Sequence, residues 1–393
     1  MQDDTDVIIV GAGMVGLWLA TLLVELQIQV VVVESKAPPL SWPPAELHAR
    51  VSAINADLVQ QLQARGLLLD TSMQGVSLMR GMRVWESGSE SLLQFDAATI
   101  AAPYLACIVE NRLLVQQLWQ SLQSNDHVRF CCPAQPLSLQ QDEHSVVCHL
   151  SDQVIRGRLL VGCDGAQSWV RQQLPVTVAK RSYQQQALVA VVEAEERHQQ
   201  LAYQRFLSTG PLGLLPLQHP QQLAMVWSCD QARAETLLAS SASSFSMALT
   251  NALQCHLSRL TLQTPVKAVP LVAQRVDQAV VGRVVLQGDA LQTLHPLAGQ
   301  GANLGLQDAL CLFQQIKSRK ADFLANNVER FLQHYQRRRL SQRAQFGTMM
   351  RLLCEGFSTD TALERAMHSQ GMALLERSSW VKQAMMRVMT GSC

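Results

Sequence analysis

Val7-Ile8-Ile9-Val10-Gly11-Ala12-Gly13-Met14-Val15-Gly16 is the stretch whose reading decides the fold class. Its first four residues are apolar and β-branched, which suits a strand buried on both faces. Gly11, Gly13 and Gly16 complete a G-x-G-x-x-G pattern, and Leu17 to Leu26 reads as a helix. A second apolar run, Ile28 to Val33, ends in Glu34. Strand, glycine turn, helix, strand and a terminal acid about 20 residues past the glycines form a dinucleotide-binding βαβ unit. In such a unit the first glycine makes the tight turn and the second lets backbone reach a pyrophosphate. The third lets the helix close on the strand. Glu34 stands where a carboxylate bonds ribose hydroxyls, and no arginine follows it to receive a 2′-phosphate.

Val7 to Val24 contains no charge, which raises the alternative of a membrane span. Three glycines interrupt the run, Glu25 closes it, and Asp3, Asp4 and Asp6 precede it where a signal peptide carries positive charge. A soluble α/β protein is the better reading. The 393 residues suffice for two or three domains, with 48% hydrophobic and 16% charged residues. A formal net charge of +1 argues against nucleic acid as a partner. Ten cysteines without a C-x-x-C pair suggest reduced core thiols of a cytoplasmic protein, and neither a disulfide framework nor a metal site is expected.

Two further strand ends carry the same kind of chemistry. Leu159-Leu160-Val161 runs into Gly162-Cys163-Asp164-Gly165-Ala166-Gln167-Ser168-Trp169-Val170-Arg171. Val284-Val285-Leu286 runs into Gly288-Asp289, and the following His295-Pro296-Leu297-Ala298-Gly299-Gln300-Gly301-Ala302-Asn303-Leu304-Gly305 opens an apolar helix over Leu304 to Phe313. Carboxylates at the C-terminal ends of strands sit where α/β folds bind ligands. Glycines before a helix N-terminus admit an anionic or electron-rich group.

Taken together, these segments resemble the single-component FAD-dependent aromatic hydroxylases typified by para-hydroxybenzoate hydroxylase. The D-G-x-x-S-x-x-R element is Asp164 to Arg171, and the G-D element is Gly288-Asp289. Within that group, His295 to Asp308 is similar to the H-P-L-A-G-Q-G-x-N-x-G-x-x-D signature of the ubiquinone-biosynthesis hydroxylases, with the 2-octaprenylphenol hydroxylase branch nearest. Arg50 to Asn55, Val109-Glu110-Asn111 and Val381 to Met385 carry the likeness over nearly the whole chain. Leu291-Gln292 departs from the family, whose members usually carry Ala-His there.

The resemblance implies an α/β fold with a Rossmann-like FAD-binding domain, a β-sheet substrate domain and a helical C-terminal extension. It places residues 1–70, 105–178 and 276–325 in the first, 71–104 and 179–275 in the second, and 326–393 in the third. Gly11, Gly13 and Gly16 are expected at the FAD pyrophosphate and Glu34 at the adenosine ribose. Arg50 is expected along the cofactor, and Arg112 toward its flavin side. Asp164 is expected near FAD and the incoming donor, and Asp289 at the ribitol. Pro296 and the backbone of Gly299, Gln300, Gly301, Ala302 and Asn303 are expected beside the flavin ring. The implied reaction transfers oxygen from a flavin hydroperoxide to an electron-rich carbon of a prenylated phenol, using O₂ and NADH, NADPH or another electron donor. Only one G-x-G-x-x-G unit is present, so the donor would bind transiently without its own Rossmann domain. Rivals are hydroxylation of a small soluble aromatic, a flavin-binding subunit with little turnover of its own, and an NAD-dependent dehydrogenase.

Ala187 to Val192, Gly213 to Leu217 and Ala224 to Ser228 read as strands of the substrate domain. Leu215, Pro216 and Trp227 are candidates for an apolar pocket, each with ordinary sheet core as its alternative. His295 is a candidate proton-transfer group for a phenol, and equally a structural residue before a proline. Asp322 to Gln345 reads as a helix whose Arg330, Arg337, Arg338, Arg339 and Arg343 form a solvated stripe. Trp380, Val381, Ala384, Met385 and Val388 recur at helical spacing, suited to packing, a subunit contact or a membrane surface. A lipid-borne substrate adds the expectation of peripheral contact with the inner membrane, and of a homo-oligomer or biosynthetic complex.

Overall fold

The valine-rich segments at the N-terminus pair into a parallel sheet because each is apolar on both sides and needs cover on both. In the computed structural model, which describes residues 2–39, 47–67, 73–86, 92–254, 257–293 and 300–356, Gln2–Val10 is the central strand. It pairs parallel with Val30–Val33 on one side and Val154–Gly162 on the other. Val128–Cys131 extends the sheet beyond Val30–Val33, and Val284–Leu286 extends it beyond Val154–Gly162. The uncharged run from Val7 to Val24 is divided between this strand and the helix Met14–Val24, whose Leu17, Trp18, Leu19 and Leu22 are fully buried. No described helix is long and apolar enough to cross a membrane.

Ser138–Gln141, Val146–His149 and Val280–Val281 complete this first sheet with antiparallel pairings, and the other described strands form two more. Val51–Asn55, Ala106–Glu110 and Val76–Met79 form a small antiparallel sheet. A nine-stranded sheet runs in the order Gln292–Thr293, Lys267–Val276, Val178–Ala194, Gln222–Asp230, Gly210–Pro216, Leu201–Leu207, Gly81–Glu86 and Leu92–Asp96, with Leu260–Leu262 added beside Val178–Ala194. The strands expected at residues 187–192, 213–217 and 224–228 are all members of it.

Strand alternation gives the nine-stranded sheet two unlike faces. Leu212 pairs with Trp227, Leu214 with Met225 and Pro216 with Leu223, so these side chains share one face. Helices Gln231–Leu238 and Ala242–Leu253 cover it through Ala234, Leu237, Phe245 and Leu249. Trp227 is 1% exposed and meets Phe245 edge-on at 6.0 Å between centroids. It is therefore core between sheet and helices. Leu215 lies on the opposite face with Gly213, Ala224 and Val226, and packs against the cluster of Ala53, Met79, Met82 and Ile108. Trp227→Ala should destabilise the protein by roughly 3–5 kcal/mol, measured by denaturant unfolding. The substrate KM should move less than about twofold, since the cost is one of cavity formation; a large KM change at unaltered stability would place Trp227 in a pocket.

Candidate functional site

The register of the parallel sheet brings the three acid-and-glycine turns side by side. Val10 is level with both Val33 and Gly162, and Gly162 with Leu286. Hydrogen bonds continue past the strand ends: Gly11 N donates to Val33 O at 2.9 Å, Cys163 N to Val10 O at 2.7 Å and Gln287 N to Gly162 O at 3.0 Å. The glycines differ in what they face. Gly11 has φ +104°, and a Cβ there would lie 2.6 Å from the Cys163 carbonyl oxygen. A Cβ on Gly16 would lie 2.0 Å from the Gly11 carbonyl oxygen. Both are required by the protein's own packing. A Cβ on Gly13 meets nothing within 4 Å, so this glycine borders open space. Gly13 also begins the helix Met14–Val24, which has no side-chain cap and no acid in its first turn. Its leading N–H groups are left for an anion.

Three carboxylates stand around that opening. Glu34 accepts from Ala12 N at 2.7 Å through one oxygen, and from Ser35 Oγ at 2.9 Å and Lys36 N at 3.1 Å through the other. Asp164 accepts from Val170 N at 2.9 Å through Oδ2, while its Oδ1 is buried with no partner. Burial pushes the Asp164 carboxyl above its ordinary pKa. An acceptor in that state lacks a donor that a bound molecule can bring. Asp289 follows Gly288 at the third turn and is exposed. Desolvation raises its pKa, against the attraction of Arg343 and Arg50. Arg50 itself is exposed, and its carbonyl accepts from Asn111 N at 3.1 Å. Arg112 pairs with Glu110 at 2.7 Å, at the start of the helix Asn111–Gln123.

The second glycine-rich helix, Gln300–Ser318, starts at the same place. Cβ atoms on Gly288 and Gly305 would both strike Val15, at 3.1 and 2.6 Å, so the two helix starts and the Gly288-Asp289 turn pack together. His295, Pro296 and Gly299 lie outside the described residues. Gln300 and Gly301 form the first turn of the helix, Gly301 bordering open space, and Ala302 is half-buried. The buried Asn303 bonds through its side chain to the backbone of the small sheet. It accepts from Asn55 N at 3.0 Å and donates to Ala53 O at 2.8 Å, mimicking a strand neighbour. That bond ties the helix start to the small sheet, against which Leu215 packs.

The arginine stripe differs from the sequence expectation. Arg330, Arg337 and Arg338 are exposed on the helix Glu329–Gly356, but Arg339 and Arg343 are 3% and 2% exposed and pair with the fully buried Asp308. Their spacing continues the buried row Phe331, Tyr335, Arg339, Arg343, so a helical-wheel reading would have found them. Burial opposes ionisation of Asp308, but the two guanidiniums outweigh it and hold the carboxyl below its ordinary pKa. His48 belongs to no motif in the sequence. Its half-buried ring has an unpartnered Nδ1, and desolvation, then Arg112, lowers its pKa.

An open glycine cradle at a helix start, an orphaned carboxylate oxygen and a second helix start at one sheet edge suit an extended dinucleotide. The architecture and site thus define an α/β dinucleotide-binding protein. The family described as FAD binding domain matches residues 4–347. A 3-demethoxyubiquinol 3-hydroxylase of Escherichia coli (strain K12) is 31% identical over 392 residues, covering 98% of each chain. Ubiquinone hydroxylase UbiL of Rhodospirillum rubrum is 31% identical over 390 residues, covering 98% of this chain and 90% of its own. The crystal structure of pqsL, a probable FAD-dependent monooxygenase from Pseudomonas aeruginosa, has the same fold, with TM-score 0.78 at 23% identity over 96% of this chain and 100% of that one. The chain belongs to the FAD-binding-domain family, among its ubiquinone-biosynthesis hydroxylases, and is an FAD-dependent monooxygenase.

Two outcomes follow from this geometry. Gly13→Ala should leave the melting temperature of the flavin-free protein unchanged and weaken FAD binding, whereas Gly16→Ala should lower both, because only the second clashes with backbone. Calorimetry of the apoprotein with a flavin-fluorescence titration separates the two. Asp308 has a folded-state pKa below its unfolded value, so its contribution is complete above about pH 4 and is lost as pH falls further. Asp308→Asn should cost about 3–5 kcal/mol at neutral pH by leaving two buried guanidiniums uncompensated, and should flatten the acid limb of the stability profile.

Proposed function

We propose that this monooxygenase hydroxylates the aromatic ring of a prenylated phenol or quinol in ubiquinone synthesis. The relatives named for ubiquinone biosynthesis support the pathway. The observation that carries the substrate class is the inner face of the nine-stranded sheet. Val189, Gly213, Leu215 and Val226 lie on one face by register, and all are only partly buried, while Val269 nearby is 50% exposed. A largely apolar face, with the exposed Lys267 opposite Val189 and the buried Gln204 opposite Gly213 as its polar members, left partly open in a sheet whose other face is covered by helices suits a mainly oily ligand. This face adjoins Ala53, whose carbonyl is held by Asn303 at the helix start beside the Gly288-Asp289 turn.

FAD, when bound, would supply the chemistry: electrons from NAD(P)H or another donor passed to O₂, one oxygen atom of which would go to the ring and the other to water. The protein's part is to bind, orient and keep water out. The Gly13 cradle and the start of Met14–Val24 would hold the pyrophosphate, and Glu34 the adenosine ribose. Asp289 would hold the ribitol, and Asp164 would take a hydroxyl or N–H donor on its free oxygen. Arg50 would supply positive charge along the cofactor, with Arg112 near its flavin end. The backbone of Gln300 to Asn303, at a helix N-terminus, would stabilise negative charge on the reduced ring. Leu215 and its neighbours would exclude water from the reacting carbon.

The test is turnover of purified, FAD-loaded protein with a reductant, O₂ and a prenylated phenol, scored by mass spectrometry of the ring product and by hydrogen peroxide release. Hydroxylated product is expected, and Val226→Asn should raise KM roughly tenfold by placing an amide on the apolar face. FAD binding should be unchanged. Preferential turnover of a benzoate would replace the reading with a soluble aromatic substrate. Peroxide with no ring product from any phenol would leave a flavin-holding subunit.

A further inference from the structure

The Gly288-Asp289 turn is held from behind by the C-terminal helix. Both backbone polar groups of Gly288 end on the buried cluster there: its N–H donates to Asp308 Oδ2 at 2.9 Å, and its carbonyl accepts from Arg343 Nη2 at 3.5 Å. Arg343 Nη1 also donates to Gln292 O at 3.4 Å, and Arg171 Nη1 to Ala290 O at 3.0 Å. Carbonyls on each side of Asp289 are thus gripped by guanidiniums from separate elements, and Gly288 is fixed in the left-handed region at φ +59°.

Arg339 and Arg343 share Asp308 but divide its surroundings. Arg339 reaches Asp308 Oδ1 at 2.6 Å, Leu304 O at 3.2 Å and Gln342 on its own helix. None of those partners belongs to the turn. Arg343 reaches Asp308, then the Gly288 carbonyl that opens the turn and the Gln292 carbonyl in the strand just after it. Its charge also acts on Asp289 itself. A planar guanidinium can serve three acceptors from one fixed position, which a lysine ammonium cannot.

We propose that Arg343 is a positioning residue for the cofactor, setting the Gly288-Asp289 turn at the flavin-binding edge, whereas Arg339 serves only to fasten the two helices together. The inference rests on the reading that Asp289 faces the cofactor. Through Arg343 the helix Glu329–Gly356 becomes part of the support of the cofactor site, although it contributes nothing to the edge of the parallel sheet.

The test compares Arg343→Lys, Arg339→Lys and Asp289→Asn in the full chain. FAD affinity is read by fluorescence titration of the apoprotein, flavin environment by the positions of the visible absorption bands, and folding by apoprotein melting. Both lysine variants should melt lower. Only Arg343→Lys should also weaken FAD, by about tenfold for the lost charge-assisted bonds, and shift the visible bands. Equal weakening by the two lysine variants, or wild-type affinity and spectrum in Arg343→Lys, overturns the proposal. Weak binding by Asp289→Asn together with normal binding by Arg343→Lys overturns it alone. Normal binding by Asp289→Asn removes the reading beneath it as well. If Arg343→Lys does not fold, Arg343→Gln against Arg339→Gln gives the same contrast.

Discussion

Parallel pairing in a single register is the constraint on which everything else depends. Val10, Gly162 and Leu286 come from segments far apart in the chain, yet they end level with one another. Parallel strands all leave their sheet at the same edge, so the turns that follow must crowd together there. Crowding accounts for the glycines at 11, 16, 288 and 305, where a Cβ would strike backbone or Val15. It also accounts for the buried Oδ1 of the partly buried Asp164 and for the raised pKa of Asp164 and Asp289. Among the described residues this edge offers Asp164 Oδ1, which has no protein partner, and the uncapped start of the helix Met14–Val24, which is the chemistry of a cofactor cradle.

The buried charges show how such an edge is kept in place. Asp308 is wholly enclosed and would not ionise there unaided, but two guanidiniums and the Gly288 N–H make the charged form the stable one. Buried ion clusters contribute little net stability compared with apolar packing, but their bonds are directional. Here the direction is useful, because the cluster joins the helix Gln300–Ser318, the turn at Gly288 and the helix Glu329–Gly356 in one arrangement. Asn303 performs the neutral version of the same task on the small sheet.

What could be read in the sequence follows from how local each signal is. The first βαβ unit lies within 34 residues, and its strand, glycines, helix and Glu34 all stand where a local reading places them. The strand ends before Asp164 and Asp289 were equally plain, because each is an apolar run stopped by a glycine. Arg339 and Arg343 suggest a solvent-facing stripe because charge dominates a composition-based reading, while the acid that draws them inward lies more than 30 residues away. Trp227 and Leu215 illustrate a third limit. Both are apolar strand residues, and only the pairing of Leu212 with Trp227 shows that they point to opposite faces. His48 carries no sequence signal at all; its interest arises from Glu110, Arg112 and Lys267, which the fold brings near it.

Asn303 bonds to Ala53 and Asn55 across about 250 positions of chain, and Arg343 lies later still. During synthesis the first βαβ unit emerges with its central strand bare on one side, since Val154–Gly162 and then Val284–Leu286 have yet to be made. Contacts between such distant segments form late, because the loop must be closed before they yield any return. The cofactor edge is therefore complete only once residues as late as Arg343 have joined it, and until then the unpaired side of Gln2–Val10 is open to wrong pairing.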